Sequence, residues 1–382
     1  MRKSADVVII GGGIQGTSVA YHLAKKGIRD TVLVEMDTLG SGSSGLSAAM
    51  LMHQTGQEQT TKLALISIKE YRSYSKKFEI DISFRKTGSI CFATEPQKAD
   101  ELRKRIEMQN RIGIATETLD GSGVSKLAPL IKEDGIIVAT YCEQDGYIDP
   151  YSVVNAYAQE ARKLGVEINL RVKALNIKTS GRKVVGVETK GVETGSAYIE
   201  TPVVINAAGA LAGQVAEWVG IHLPIMNKKR NIVFLAPRPP LEPFPIVEDV
   251  VTEWYLRPDG KNIMVGVGPQ EEVGYIPDTL RPGFDESCLY KLGEYIEHRA
   301  PALMETAVMG SHWAGVRCMT SDELPILGPV DGVEGFLNCC GWSGFGITLA
   351  PVGGMLLAEF VAHGKSSTAE INPFLLKRFQ GK

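Results

Sequence analysis

Several features that mark well-known classes of protein are missing from this sequence. Its 382 residues contain no run of about 20 apolar residues, so we expect no transmembrane helix. The net charge of −3, from 41 basic and 44 acidic residues, gives no sign of nucleic-acid binding. The first residues, Met1 to Ser4, lead straight into a predicted strand and leave no room for a signal peptide. These absences together favour a cytoplasmic protein.

The cysteine and histidine patterns give no sign of a disulfide framework or of a metal site. Six cysteines in a chain of this length do not make the disulfide framework of a secreted domain, and neither a C-x-x-C dithiol nor an iron–sulfur spacing occurs. Cys339 and Cys340 are adjacent, so we expect them to be small buried residues of a strand. The histidines form neither H-x-x-x-H nor H-E-x-x-H, and no metal site is predicted.

The strongest positive signal lies at the N-terminus. The β-branched run Val7 to Ile10 predicts a strand buried on both faces. The loop after it, Gly11-Gly12-Gly13-Ile14-Gln15-Gly16, fits G-x-G-x-x-G, in which the glycines permit a tight turn, an approaching pyrophosphate and close helix packing. A second predicted strand, Thr31 to Val34, ends in Glu35, where a carboxylate accepts hydrogen bonds from a ribose. The pattern predicts a bound dinucleotide, with its phosphates at the start of a helix over about 14–26.

Three later stretches of small residues suit the same ligand. The run 40–51 lets backbone amides and hydroxyls approach an anion. A predicted buried strand within 201–206 ends in Asn206-Ala207-Ala208-Gly209, and a last strand at 335–340 leads into the glycine loop 341–348. The stretch 84–139 is expected to enter a second domain, and the stretch 226–309 is rich in predicted strands.

These separated segments, in this order, resemble the superfamily of FAD enzymes that contains D-amino-acid oxidase, glycine oxidase and sarcosine oxidase. The resemblance covers essentially the whole chain and rests on the N-terminal glycines with Glu35, the Gly42-Ser43-Ser44 region, the strand end 206–209, Asp322-x-x-Pro325-x-x-Gly328, and the loop Gly341-Trp342-Ser343-Gly344-Phe345-Gly346. It implies a two-domain flavoprotein of the glutathione-reductase type. A Rossmann-like α/β FAD-binding domain would comprise 1–83, 140–225 and 310–382, and a mainly antiparallel α+β substrate domain 84–139 and 226–309.

The same resemblance implies which residues meet the cofactor. Non-covalent FAD is expected to contact Gly11, Gly13, Ile14, Gln15, Gly16, Glu35, Ser43, Ser44, Ala48, Leu51, Val172, Ala207, Ala208, Gly209, Gly341, Gly344, Gly346, Ile347 and Thr348.

A reaction and three catalytic candidates follow from the resemblance. In such enzymes a hydride leaves the α-carbon of an amine for flavin N5, and the imine formed is hydrolysed. The substrate carboxylate requires an anchor, and arginine supplies a bidentate one. Trp313 to Arg317 resembles the segment whose arginine binds that carboxylate, so Arg317 is the first candidate. Tyr255 resembles a substrate-facing tyrosine, His53 is a candidate beside the flavin, and Arg257 is a weaker second anchor.

Four positions depart from patterns found in parts of this superfamily. Thr348 stands where sarcosine oxidases have a carboxylate-binding lysine, and Met264 where the monomeric enzymes have a lysine that promotes reaction with oxygen. Ser47 stands roughly where dimethylglycine dehydrogenases carry the histidine of covalent FAD. Cys318 lies near the flavin-tethering cysteine of monomeric sarcosine oxidases, but its spacing to Asp322 is shorter.

The sequence therefore predicts an FAD-dependent oxidase or dehydrogenase for a small, secondary or N-methyl amino acid of the glycine, sarcosine or proline type. One alternative is a β-type catalytic subunit of a multi-subunit amino-acid dehydrogenase. Another is a 2-hydroxy-acid or glycerol-phosphate dehydrogenase with His53 as its base, and a third is a scaffold with structural FAD. The electron acceptor, oxygen or a partner redox subunit, stays open, as does a homo- or hetero-oligomeric state.

Overall fold

The computed structural model describes residues 2–273 and 281–380. Its strands are β1 (Val7–Ile10), β2 (Thr31–Glu35), β3 (Met50–Leu51), β4 (Arg85–Lys86), β5 (Ser89–Ala93), β6 (Glu117–Leu119), β7 (Val138–Cys142), β8 (Gly146–Tyr147), β9 (Glu167–Leu170), β10 (Val172–Ser180), β11 (Lys183–Gly191), β12 (Gly195–Glu200), β13 (Val204–Asn206), β14 (Ile225–Pro237), β15 (Ile246–Asp249), β16 (Trp254–Asp259), β17 (Asn262–Glu272), β18 (Ala307–Thr320), β19 (Ile326–Val330) and β20 (Val333–Cys340).

The helices of the described ranges are α1 (Ile14–Lys25), α2 (Glu58–Phe78), α3 (Pro96–Arg111), α4 (Gly121–Leu127), α5 (Pro150–Lys163), α6 (Ala212–Glu217), α7 (Cys288–Arg299), α8 (Ala302–Thr306) and α9 (Ala350–His363). Short 3-10 turns occupy Gly209–Leu211, Asn372–Phe374 and Leu376–Phe379. Within these ranges, no helix combines the length and hydropathy that a membrane span requires.

A nine-stranded sheet organises the N-terminal strand and its neighbours. Its order is β10-β11-β20-β13-β1-β2-β9, with β12 paired to β11 and β19 to β20. Pairs from β20 through β13, β1 and β2 to β9 are parallel. The next strand in the chain, β2, pairs with one edge of β1, and β13, which comes much later in the chain, pairs with the other edge. The carboxyl end of β1 is therefore a topological switch point, where open α/β sheets bind ligands.

Burial explains why β1 lies in the middle of this sheet. All four of its residues are buried, and successive side chains of a strand point to opposite faces. Val7 and Ile9 join the core that contains residues of α1, α5 and α9. Val8 and Ile10 join the core on the other face. A strand that is apolar on both sides is stable only when both faces are covered, as in a parallel sheet.

An eight-stranded sheet forms the second layer. Its order is β18-β14-β17-β16-β15-β5-β7-β6, and every neighbouring pair is antiparallel except β15–β5. Cross-strand partners Ile232, Gly266, Tyr255 and Glu248 run in one row across β14, β17, β16 and β15. Only glycine fits at position 266, because the Tyr255 ring occupies the place that a Cβ would take. We call the face that carries this row the roof.

Most elements agree with the sequence-based expectations, and the differences concern boundaries. The predicted strand 7–10 and helix 14–26 occur at Val7–Ile10 and Ile14–Lys25, and Cys339 and Cys340 are buried in β20 as predicted. The expected domain boundary at 309/310 falls inside β18, which continues to Thr320. Arg317 is therefore part of the eight-stranded sheet. Residues 274–280 of the expected 226–309 segment lie outside the described ranges. A small third sheet joins β3, β8 and β4.

Candidate active site

A continuous cavity is lined both by loops at the carboxyl edge of the nine-stranded sheet and by the roof. Nineteen of the 22 residues predicted to bind the cofactor or to act in catalysis line it, so segments distant in the chain share one surface. They are Gly11, Gly13, Ile14, Gln15, Glu35, Ser43, Ser44, Ala48, Val172, Ala207, Ala208, Gly209, Tyr255, Arg317, Gly341, Gly344, Gly346, Ile347 and Thr348.

The turn after β1 brings backbone close to backbone at one end of this cavity. Gly11 has φ +111°, and a Cβ there would lie 2.8 Å from the carbonyl carbon of Ala207 at the end of β13. The helix α1 begins at Ile14 without an acidic residue in its first turn and without a side-chain hydrogen bond at its N-cap, Gly13. The N–H groups and dipole of a helix N-terminus favour an anion. This end of the cavity therefore suits a phosphate group.

Gly16 acts one turn further on and does not line the cavity. A Cβ at Gly16 would collide with the carbonyl oxygen of Gly11 and lie 3.4 Å from the Cβ of Ala207. Gly16 thus lets α1 pack closely against the carboxyl ends of β1 and β13. Its role in this structure is the close helix–strand packing expected of the third glycine rather than contact with a ligand.

Glu35 ends β2 with a buried carboxylate that also lines the cavity. Its Oε2 accepts the N–H of Gly12 at 2.6 Å, and its Oε1 accepts the N–H of Asp37 at 2.8 Å. Burial raises the pKa of this carboxyl, and the two backbone hydrogen bonds act in the opposite direction. A carboxylate has about four acceptor positions, so Glu35 retains capacity for the hydroxyls of a ribose.

The glycine loop after β20 is held in place by three contacts from other elements. Gln15 Nε2 donates to the Gly346 carbonyl at 2.8 Å, and the Tyr71 hydroxyl donates to the Ile347 carbonyl at 2.6 Å. The Thr348 hydroxyl donates to the Met50 carbonyl at 3.0 Å. The loop thus lies against the start of α1 and against β3. Its residues line the cavity. The hydroxyl of Thr348 is already engaged in this contact.

Arg317 lies on β18, where the roof meets this glycine loop. Its Nη2 donates to the Ser343 carbonyl at 3.1 Å. Among the described residues, this carbonyl is the one hydrogen-bond partner of the Arg317 side chain. Burial and then the like charge of Arg230 lower the pKa of Arg317. Arginine nevertheless keeps its charge in proteins. The site therefore holds a cation that an anionic ligand would stabilise, with donors left to bind it.

The roof opposite the nine-stranded sheet is otherwise largely apolar. Ala48, Ile232, Tyr255 and Met264 form a cluster against which Trp313 packs. Two charged side chains that were not singled out from the sequence also line the cavity here, Arg230 on β14 and Glu248 on β15. Residues two apart on a strand share a face. The spacing of Arg230, Ile232 and Phe234 was therefore the sequence signal that could have placed Arg230 on the same face as the apolar residues of the cavity.

His53 and Leu51 do not line the cavity. Leu51 is fully buried in the core beneath α2 and α9. His53 turns toward Asp145, whose Oδ1 lies 2.6 Å from His53 Nδ1 and also accepts the backbone N–H of His53 at 2.9 Å. The Ser89 hydroxyl donates to the other carboxylate oxygen at 2.6 Å. This buried polar network engages Nδ1 and the backbone N–H of His53.

Arg257, the second arginine considered as an anchor, has three of its five N–H donors engaged by other residues. Its Nε donates to the Ala48 carbonyl at 2.7 Å, and its Nη1 donates to the Pro258 carbonyl at 2.9 Å and to Asp259 at 2.8 Å. The guanidinium also lies over the Tyr147 ring, 4.3 Å from its centroid. Arg257 fixes the roof to the loop before β3 and does not line the cavity.

The residues present fit a dinucleotide cofactor. The N-terminus of α1, where the Ser44 Oγ accepts the Ile14 N–H at 3.0 Å, and the carboxylate of Glu35 provide one anion site and one ribose site on a single surface. Ser47 and Cys318 also line this surface. Burial raises the pKa of the Cys318 thiol to about 12, which keeps it protonated and poorly nucleophilic near neutral pH.

A model of one protein family matches most of the chain. The family is described as FAD dependent oxidoreductase (DAO), and the match covers residues 6–360. Mitochondrial dimethylglycine dehydrogenase of Rattus norvegicus is 29% identical over 380 residues, which make up 95% of this chain and 44% of that protein. The chain thus spans less than half the length of this relative.

Solved structures give the same fold over the full length. L-proline dehydrogenase from P. horikoshii has a TM-score of 0.90 and 25% identity, and the match covers 100% of this chain and 99% of that one. Glycine oxidase from Geobacillus kaustophilus has a TM-score of 0.86 and 25% identity, with 100% of both chains covered.

Proposed function

This chain belongs to the DAO family of FAD-dependent oxidoreductases, and we propose that it oxidises the C–N bond of a small, secondary or N-methyl amino acid. FAD, the cofactor of this family, is the cofactor that the sequence predicts. Relatives named for dimethylglycine, proline and glycine support this substrate class. A 2-hydroxy-acid or glycerol-phosphate dehydrogenase would need a base beside the flavin, and His53, the candidate for that role, does not line the cavity.

The position of Arg317 is the observation that carries the proposal. It lies on the cavity that also contains the N-terminal glycine turn, and among described residues only the Ser343 carbonyl accepts from it. A guanidinium has five N–H donors, so a carboxylate can bind in bidentate fashion. Tyr255, across the roof, would cover the substrate and exclude water. Bound FAD supplies the acceptor for the two electrons and the hydrogen that leave the carbon next to nitrogen.

We propose further that the two large sheets correspond to two domains. The nine-stranded sheet would bind FAD, mainly from 1–83, 140–225 and 310–382, and the mainly antiparallel sheet would bind substrate, mainly from 84–139 and 226–309. The strand membership supports this division, although β7, β14 and β18 each cross one of its boundaries.

The attachment of FAD, its contacts with individual residues and the electron acceptor are also proposals. Non-covalent binding is favoured by the raised pKa of Cys318 and by serine at position 47. Met264, where a lysine promotes reaction with oxygen in some relatives, is a buried part of the roof, so a partner redox subunit is the preferred acceptor over oxygen. A cytoplasmic location stays a prediction.

Anaerobic mixing of the purified flavoprotein with candidate substrates tests the function. We expect the flavin absorbance to fall with sarcosine, dimethylglycine, proline or glycine, and not with lactate or glycerol phosphate. The amide of each amino acid is the matched control, because it keeps the amine and removes the carboxylate that Arg317 binds. Reduction by hydroxy acids alone would overturn the proposal. Peroxide formation in air then distinguishes oxygen from a partner subunit as acceptor.

A further inference from the structure

A second arginine lies on the roof next to Arg317. In the β14–β18 pairing Arg230 is opposite Gly315, while Arg317 is opposite Lys228. Arg230 and Arg317 are therefore diagonal neighbours on one face, and such positions lie about 7–8 Å apart, within reach of long side chains. Both line the cavity. Arg230 has only 6% of its surface exposed.

Most of the Arg230 guanidinium has no hydrogen-bond partner. Its Nη2 donates to the Glu253 carbonyl, and its Cζ lies 4.9 Å from the centroid of the Tyr255 ring. Nε and Nη1 are buried and unpartnered. The Glu253 carboxylate is 3.8 Å from Nη1, too far for a hydrogen bond, and is half-exposed and bound by Gln270 Nε2 at 2.9 Å. Buried polar groups are nearly always hydrogen-bonded, and Arg230 lines the cavity, so an anion bound beside it would supply a partner that the guanidinium lacks.

The charges of the roof suggest what that ligand contains. On the roof, Arg230, Arg317 and Glu248 give two positive groups and one negative group, with Glu253 at the partly exposed margin. The cavity's other charged residues lie on other elements and loops; they are Glu35, Lys98, Glu101, Arg105, Lys173 and Glu323. Glu248 has the Cys91 thiol as its contact, at 3.8 Å. Two carboxylates and one amine would complement this set, whereas a substrate with one carboxylate leaves Arg230 with only its 3.8 Å ion pair to the half-exposed Glu253 carboxylate. Buried charges are costly unless they are paired and hydrogen-bonded.

We propose that Arg230 binds a second carboxylate and that the preferred substrate is an amino acid with two acidic groups. This inference rests on the proposed function, since Arg317 takes the carboxylate next to the oxidised carbon. Arg230 is then a specificity-determining residue, held in position by the Tyr255 ring and by the Glu253 carbonyl.

Dicarboxylates and their monoamides test the charge preference directly. The pairs are N-methylaspartate with N-methylasparagine, N-methylglutamate with N-methylglutamine, and iminodiacetate with its monoamide. A charge-assisted hydrogen-bonded contact is worth about 1.5–3 kcal/mol, so kcat/KM for flavin reduction should favour the diacid of at least one pair about 10- to 100-fold. Arg230→Gln should bring this ratio close to one. Arg230→Lys should retain part of it, because it keeps the charge and loses the planar fork.

Arg299 provides the matched control variant. It is also buried, also lies over an aromatic ring, Phe92, and also has an unpartnered Nε, but it does not line the cavity. Arg299→Gln should therefore leave the diacid preference unchanged. A wild-type ratio near one in all three pairs would overturn the inference, and so would a ratio that survives in Arg230→Gln.

Calorimetric binding of acids without an amine separates this inference from the proposed function. Wild-type flavoprotein should bind succinate or glutarate about 10- to 100-fold more tightly than the corresponding monoamide, and Arg230→Gln should not. If no amino acid reduces the flavin but this preference holds, the proposed function fails and the anion site at Arg230 stands. If monocarboxylic amino acids reduce the flavin and no diacid preference is found in either assay, only the assignment of Arg230 fails.

Discussion

Replacing Arg317 with methionine is the most direct test of the proposed carboxylate site. Methionine keeps an unbranched side chain but removes all five N–H donors. Arg317 is held by one hydrogen bond to the Ser343 carbonyl at 3.1 Å and otherwise faces the cavity. Removing one partner of a hydrogen-bonded charge pair that is buried in a complex costs about 2–5 kcal/mol. We therefore expect Kd for the substrate to rise about 30- to 4,000-fold.

The assay should report binding without turnover. Calorimetric titration with propionate, which has a carboxylate and no amine, measures Kd in the wild-type and variant flavoproteins. Arg257→Met is the matched control, since Arg257 is buried in the same sheet but gives its donors to Ala48, Pro258 and Asp259. An unchanged Kd in Arg317→Met, or an equal loss in Arg257→Met, would refute the assignment.

Three further predictions follow from individual residues. Gly344→Ala should weaken propionate binding, because a Cβ at Gly344, where φ is +90°, would overlap the Arg317 guanidinium; an unchanged Kd would contradict this. Burial lowers the pKa of His22 to about 3 from 6.5, so between these pH values the unfolded chain binds a proton that the native chain does not, and stability rises with pH. His22→Gln should reduce the slope of the unfolding free energy against pH, measured by urea unfolding, by up to about 1 kcal/mol per pH unit. The control His363→Gln, at an exposed position, should leave this slope unchanged. Acid precipitation should release FAD and leave a colourless pellet; a yellow pellet that becomes colourless in Cys318→Ser would show covalent attachment.

The part of the candidate site around the glycine turn was predictable because its signals are local. Val7 to Ile10, the glycines at 11, 13 and 16, and Glu35 occupy one strand–turn–helix–strand unit. Gly11 and Gly16 meet a steric requirement and Glu35 meets a hydrogen-bonding requirement, and few residue types satisfy either one. A Cβ at Gly11 or at Gly16 would overlap backbone atoms. The glycine pattern therefore predicts the close backbone approaches of this turn directly.

The roof was less predictable because its geometry depends on strand register. Arg230 and Arg317 meet only through the β14–β18 pairing, which no local pattern specifies. A slip of one residue would reverse the face of every side chain on β14. The resemblance to known enzymes identified Arg317 and Tyr255, whereas Arg230 and Glu248 required the cross-strand partners.

His53 shows why a candidate base cannot be assigned from its neighbours in the chain. The preceding small residues suggested proximity to a ligand, but Asp145, distant in sequence, binds both the backbone and the ring of His53. Ser89 completes the network through the second carboxylate oxygen. The sequence contains all three residues and gives no indication that they meet.

The contacts of Ser343 connect cofactor binding with substrate binding. Its N–H donates to the Cys318 carbonyl at 2.9 Å, its Oγ accepts the Thr320 N–H at 3.1 Å, and its carbonyl accepts from Arg317. The glycine loop that follows β20 is thereby bound along the end of β18, on the strand that carries the proposed anchor. A shift of this loop would therefore move Arg317 with it. For this reason we expect the loop that we propose lies against FAD to set the position of the substrate carboxylate as well, through the Ser343 carbonyl that binds Arg317.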